Sequence, residues 1–155
     1  MLKSYFDGMR IIFAGWSYPR DPQTNLPKGT LEDMKAYYGK LGDRLGVALA
    51  PPQTIVNDVG YEYLRAGKSD AAIAFFRFNT EQYPQSTNAW DSLGEALQKA
   101  GKRDEALVSY RRALKIAQTN QDPNLPSFKA RIAALEKSLR PRVTEALLRR
   151  SIRFG

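Results

Sequence analysis

An all-α solenoid of two helical hairpins, closed at both ends by flanking cap helices, is the fold this sequence predicts. Three observations predict it. Residues 60–76, GYEYLRAGKSDAAIAFF, are echoed 34 residues later by residues 94–110, GEALQKAGKRDEALVSY. Each copy carries two apolar stripes at helical spacing, separated by a short break at a glycine. The flanks carry further helical stripes of their own, able to cover the ends of a short stack.

Taken in chain order, residues 3–14 have a weak helical pattern. Residues 17–29, SYPRDPQTNLPKG, are rich in proline and turn formers and read as a loop. Thr30-Leu31-Glu32-Asp33 resembles a capping box, with Asp in place of the usual Glu. Leu31, Met34, Tyr38, Leu41 and Leu45 then form a stripe down a helix of about four turns. Pro51-Pro52 marks the entry to the repeats.

Aligned at the 34-residue offset, Val56 matches Trp90, Val59 matches Leu93 and Gly60 matches Gly94. Further on, Tyr63 pairs with Leu97, Gly67 with Gly101, Asp70 with Asp104, Ala72 with Ala106 and Phe76 with Tyr110. Sterics account for the recurring types. Gly60 and Gly94 lack a Cβ where two helices cross closely, and Ala72 and Ala106 are the expected small partners. Trp90, or the smaller Val56, fills the space between adjacent hairpins. Gly101 suits a left-handed C-cap, and Asp104 falls near the start of the next helix. Pro84 stops the second helix of the first copy, because proline cannot donate to the helical ladder. The second copy has Gln118 there and delays its proline to Pro123.

After the repeats, Phe128, Ile132, Leu135 and Leu139 lie on one helical face that should end before Pro141. A further short helix is expected over Val143 to Ile152. This divides the chain into an N-terminal part (1–50), two repeats (51–122) and a C-terminal cap with a basic terminal helix (123–155).

A helical hairpin of this length and marker pattern resembles the tetratricopeptide repeat. The resemblance implies a protein-binding solenoid with the first helix of each repeat on a concave face. Its exposed first-helix positions would be Thr54, Asn57, Tyr61 and Arg65 in the first copy, and Asn88, Asp91, Glu95, Gln98 and Lys99 in the second. These are either a groove for a peptide or an ordinary solvated helix face. Asp91 and Glu95 near the centre disfavour capture of a carboxylate and favour a neutral or basic segment.

A second resemblance covers roughly residues 4–117 and is carried at its start by Ser4-Tyr5-Phe6-Asp7-Gly8-Met9-Arg10-Ile11-Ile12-Phe13-Ala14-Gly15-Trp16. That stretch is similar to a segment near the end of bacterial α/β-hydrolase esterases of the siderophore-esterase-like kind, some of which continue into a tetratricopeptide tail. The resemblance implies a non-catalytic tail, with residues 1–16 the last piece of a hydrolase domain. Its occupant could be that domain, and a second copy could cover the open end of the stack.

Composition agrees with a binding role. The chain has no Cys and no His, which removes disulfides, thiolate nucleophiles, Cys or His metal ligands and the commonest general base. Gly15-Trp16-Ser17-Tyr18-Pro19 nearly matches a nucleophile elbow, but ends in proline and has no histidine to activate its serine. No catalytic, cofactor or metal site is read from the sequence. No apolar run approaches the roughly 18–20 residues needed to span a bilayer, and the first residues do not form a signal peptide's apolar centre. Localisation is therefore left open: cytoplasmic, or exported with a longer parent.

Net charge is +8, and most of it lies at the end of the chain. Residues 129–155 hold eight Lys or Arg against two Glu, a surplus of six. Arg140, Arg142, Arg149, Arg150 and Arg153 are read as the solvated side of a cap, not as a surface for nucleic acid or membrane, since no nucleic-acid-binding motif accompanies them.

Overall fold

A computed structural model describes the backbone of residues 18–151 and the side chains of residues 18–139. Six helices follow one another: α1 (Leu31–Leu45), α2 (Gln53–Arg65), α3 (Ser69–Gln82), α4 (Thr87–Lys99), α5 (Arg103–Thr119) and α6 (Leu125–Ser151). Among the described residues, extended backbone pairing is limited to one bridge between Arg20 and Pro27. The protein is an all-α helical repeat. The helix expected over residues 3–14 lies outside the described residues.

α2 with α3, and α4 with α5, form the two hairpins, and α3 packs against α4 to join them. Each hairpin turns through a glycine in the left-handed region, Gly67 at φ 73° and Gly101 at φ 77°. The residue after each closes the helix end: Lys68 N–H donates to Tyr63 O and Lys102 N–H to Leu97 O, both at 2.9 Å. The close crossings fall at Gly60 and Gly94, though the side chains that fill them are rings. A Cβ on Gly60 would lie 2.6 Å from Phe76, and one on Gly94 would lie 2.5 Å from Tyr110. Ala72 and Ala106 are fully buried beside them.

α1 begins at the expected capping box: Thr30 accepts from Asp33 N–H while the Asp33 carboxylate accepts from Thr30 N–H at 2.7 Å. Met34 and Tyr38 are buried and Leu31 and Leu41 partly so, but Leu45 is 50% exposed. The stripe ends early because the chain turns at Gly46 and folds back, with Val47 N–H on Gly42 O at 3.1 Å. Gly42 is buried under that return, where a Cβ would lie 2.5 Å from Val47 O.

The C-terminal expectation needs correction. α6 is one helix of 27 residues that passes through Pro141, so neither an end before Pro141 nor a separate helix from Val143 is found. Proline inside a helix removes one donor and crowds the preceding turn, at about 3 kcal/mol, yet it does not forbid helix. Here the donor lost is the one for the carbonyl of Lys137, an exposed residue. The apolar face of α6 is as expected: Phe128, Ile132 and Leu135 are buried and Leu139 partly buried.

Candidate interaction site

The first helices of the hairpins, α2 and α4, lie side by side, and their polar residues are stitched together. Asn57 is central. Its Oδ1 accepts from Ser92 Oγ at 2.9 Å and from Asn88 Nδ2 at 3.4 Å. The Tyr61 hydroxyl lies 3.1 Å from Glu95 Oε2 and 3.2 Å from Ser92 Oγ. Its single proton is better placed on the charged acceptor, Glu95, since hydrogen bonds to carboxylate are the stronger kind. Lys99 Nζ lies 3.2 Å from the other oxygen of Glu95, one helical turn away.

Asp91 is held from farther off. Arg131 of α6 reaches Asp91 Oδ2 at 2.6 Å, and the Asp91 side chain is only 14% exposed. Asp91 Oδ1 is buried and has no hydrogen-bond partner. Burial pushes the Asp91 carboxyl above the usual aspartate range, against the pull of Arg131, and the neighbouring Glu95 charge adds to the rise. Tyr110, under the same helix, donates to Gln98 Oε1 at 2.9 Å. Burial, with the Asp91 charge second, pushes its hydroxyl up to about 12. Tyr61 is raised for the same first reason. At neutral pH these tyrosines are protonated hydrogen-bond donors.

Of the sequence-predicted positions, Asn57 is tied to Asn88, and Tyr61 to Glu95 and through it to Lys99, while Asp91 and Gln98 are bound beside them. Thr54 and Arg65 stand apart and exposed. Arg65 lines a cleft that Tyr18, Arg20 and Pro27 of the loop before α1 also line. Two participants were not foreseen. Ser92 aligns with Asp58, so the repeat gave no matching residue to draw attention to it. Arg131 lies 40 residues from its partner, on a helix outside the repeat. The structure thus balances the two central acids internally, each with one cation.

Among the described residues, no group of three His, Cys, Asp or Glu is gathered as a metal site would need. No helix among them is long and apolar enough to cross a membrane. Residues 87–120, which are α4, α5 and the turn between them, match the tetratricopeptide repeat. No relative of the chain is found among curated proteins.

Proposed function

We propose that the α2/α4 face docks a polypeptide segment, and that the chain acts as an interaction or scaffolding module. Tetratricopeptide repeats generally bind proteins or peptides and are generally non-catalytic, and one such repeat is present at residues 87–120. The observation that carries the reading is a pair of hydrogen bonds between the first helices, Ser92 donating to Asn57 and Tyr61 donating to Glu95, a two-rung ladder that holds them in register. A ladder so fixed presents its remaining amide and hydroxyl groups without a further ordering cost, the condition under which a few polar contacts convert to affinity.

The charge of the face refines the occupant. Asp91 and Glu95 are already matched by Arg131 and Lys99, so a neutral segment fits without displacing either cation. A basic one has to compete with them. The finer reading, a C-terminal domain of an esterase-like hydrolase, rests on the resemblance of residues 4–16. On that reading the occupant is the hydrolase domain or a second copy, and the module shapes access to an active site or holds subunits together.

Selection of random twelve-residue peptides on the immobilised chain tests the docking face. Enrichment of a sequence class that fails to bind an Asn57→Ala, Glu95→Ala variant supports it. Enrichment that survives both substitutions places the docking surface elsewhere. For the parent, the native mass in source cells decides. A species near 17.5 kDa means a stand-alone module, whereas one heavier by an enzyme-sized domain points to a hydrolase tail.

A further inference from the structure

α2 has another row of side chains, apolar at its start and charged beyond, distinct from the one facing α4. Ile55, Asp58, Glu62 and Arg65 recur every three or four residues and so lie along one side of the helix. Opposite them runs the loop of residues 18–30, tied down at two points. The Tyr63 hydroxyl lies 2.7 Å from Gly29 O and 3.0 Å from Pro27 O. Arg20 forks onto both oxygens of Glu62, each at 2.8 Å.

Between loop and helix the surface opens into two adjoining clefts of about 430 and 440 Å³ that share Arg20, Glu62 and Arg65. The first has Ile55 and Val59 from the helix at its base and the rings of Tyr18 and Tyr61 beside them. The second continues past Leu26 to Ala66. From Ile55 to Ala66 the helix rises about 16 Å, the reach of about five residues of extended chain. An open trench of this length suits a chain better than a compact small molecule.

Its charges are also arranged. Arg20 and Glu62 satisfy each other, and the trench is neutral when Asp58 and Arg65 are counted with them. Asp58 and Arg65 are exposed and make no ion pair among the described residues. They are seven residues apart, about 10 Å along the axis, which a polyproline II chain covers in one turn of three residues, bringing its first and fourth side chains to the same side.

We propose that this trench binds an extended peptide carrying a large apolar or aromatic side chain for the Ile55/Val59 base. Flanking it, a basic and an acidic residue three positions apart meet Asp58 and Arg65. The proposal rests on the docking-module reading for its premise that the occupant is a polypeptide, and it names the sequence class and a second place of contact.

Two fluorescein-labelled heptapeptides test it, one with the core Lys-Phe-Ala-Glu and one with Glu-Phe-Ala-Lys, titrated by anisotropy against the full chain. One charge order should bind about tenfold tighter than the other, as two surface pairs made or opposed would give. The Asp58→Lys, Arg65→Glu double variant should reverse that preference. Both substitutions are at exposed positions, and circular dichroism checks that the fold persists. Equal binding of the two peptides, or a preference that survives the exchange, overturns the trench. So does no binding of either. The Asn57→Ala, Glu95→Ala variant separates this outcome from the broader reading. Peptides from the random selection that depend on it, but are indifferent to the Asp58/Arg65 exchange, sink the trench and leave the α2/α4 face standing.

Discussion

The two repeats reach the same backbone through different side chains, and the differences follow what each one must pack against. At the position between hairpins, the first repeat has Val56, fully buried, and the second has Trp90, half-buried. The trade is completed one helix later. Asn79 in the first repeat is fully buried and donates to Gln53 O at 3.3 Å, whereas its counterpart Ala113 leaves room for the Trp90 ring. Trp90 then donates to Pro84 O at 2.9 Å and packs toward Phe128 of α6. Small plus large at one pair of positions becomes large plus small at the other.

The second helices differ for a similar reason. Phe75 and Phe78 of α3 are buried, with Lys35 of α1 4.9 Å above the Phe78 ring. Their counterparts in α5 are Ser109, which satisfies its hydroxyl on Glu105 O, and Arg112, which lies over Trp90. Repeat one is therefore aromatic where it meets the N-terminal elements, whereas repeat two has a small buried serine and a half-buried arginine at the same positions. Helix ends diverge too: α3 stops at Gln82 before Pro84, while α5, with Gln118 at the equivalent place, runs on to Thr119.

The largest effect expected from forcing the repeats to agree is that of Val56→Trp. A pattern-based view would count it as restoring the repeat's marker. The structure puts Val56 at zero exposure with Asn79 beneath the start of the same helix, so an indole has no space. Overpacking of this kind typically costs about 1–3 kcal/mol, and the upper end is expected here. Urea unfolding measures it. A variant as stable as wild type would mean that the trade of volumes between the repeats is not what sets their residues.

The same contrast explains how much could be read from the sequence. The hairpins were legible because their period is imposed by backbone demands that only some residues meet, such as the left-handed φ of Gly67 and Gly101 and the crossings at Gly60 and Gly94. The capping box at Thr30 was legible because its partners are three residues apart. What escaped depends on distant partners. Arg131 on Asp91 and Tyr63 on the loop at Pro27 and Gly29 cross 34 to 40 residues, and nothing periodic announces them. α6 was cut too short because proline's cost is local, while the decision to continue a helix is made by the whole element.

A smaller effect comes from the ring beneath each crossing glycine, Phe76 in one repeat and Tyr110 in the other. Tyr110 is raised from 10.0 to about 12 in the fold. Below pH 10 the phenol is neutral both folded and unfolded, and its contribution is intact. Between 10 and 12 the unfolded chain loses the proton first, so stability falls as pH rises. Tm should drop by a few degrees over that interval, and Tyr110→Phe should make the drop shallower. Tyr18 is raised to a similar value, so part of the slope remains in the variant. An unchanged slope in Tyr110→Phe would mean that Tyr110 ionises as freely folded as unfolded.

The smallest difference is at the helix starts. α4 is capped by Ser86, whose Oγ accepts from Ala89 N–H at 3.2 Å, whereas α2 starts after Pro52 with no side-chain cap. Ser86 also contacts Gln53 Nε2, so one hydroxyl serves the start of both first helices. Ser86→Ala should therefore cost about 1 kcal/mol for the cap, and somewhat more if the contact with Gln53 contributes. A Gln53→Ala, Ser86→Ala cycle in urea separates the two parts. A coupling energy near zero would make the cap a property of α4 alone. A coupling above about 0.5 kcal/mol would mean that the first repeat, lacking a cap of its own, borrows order from the second.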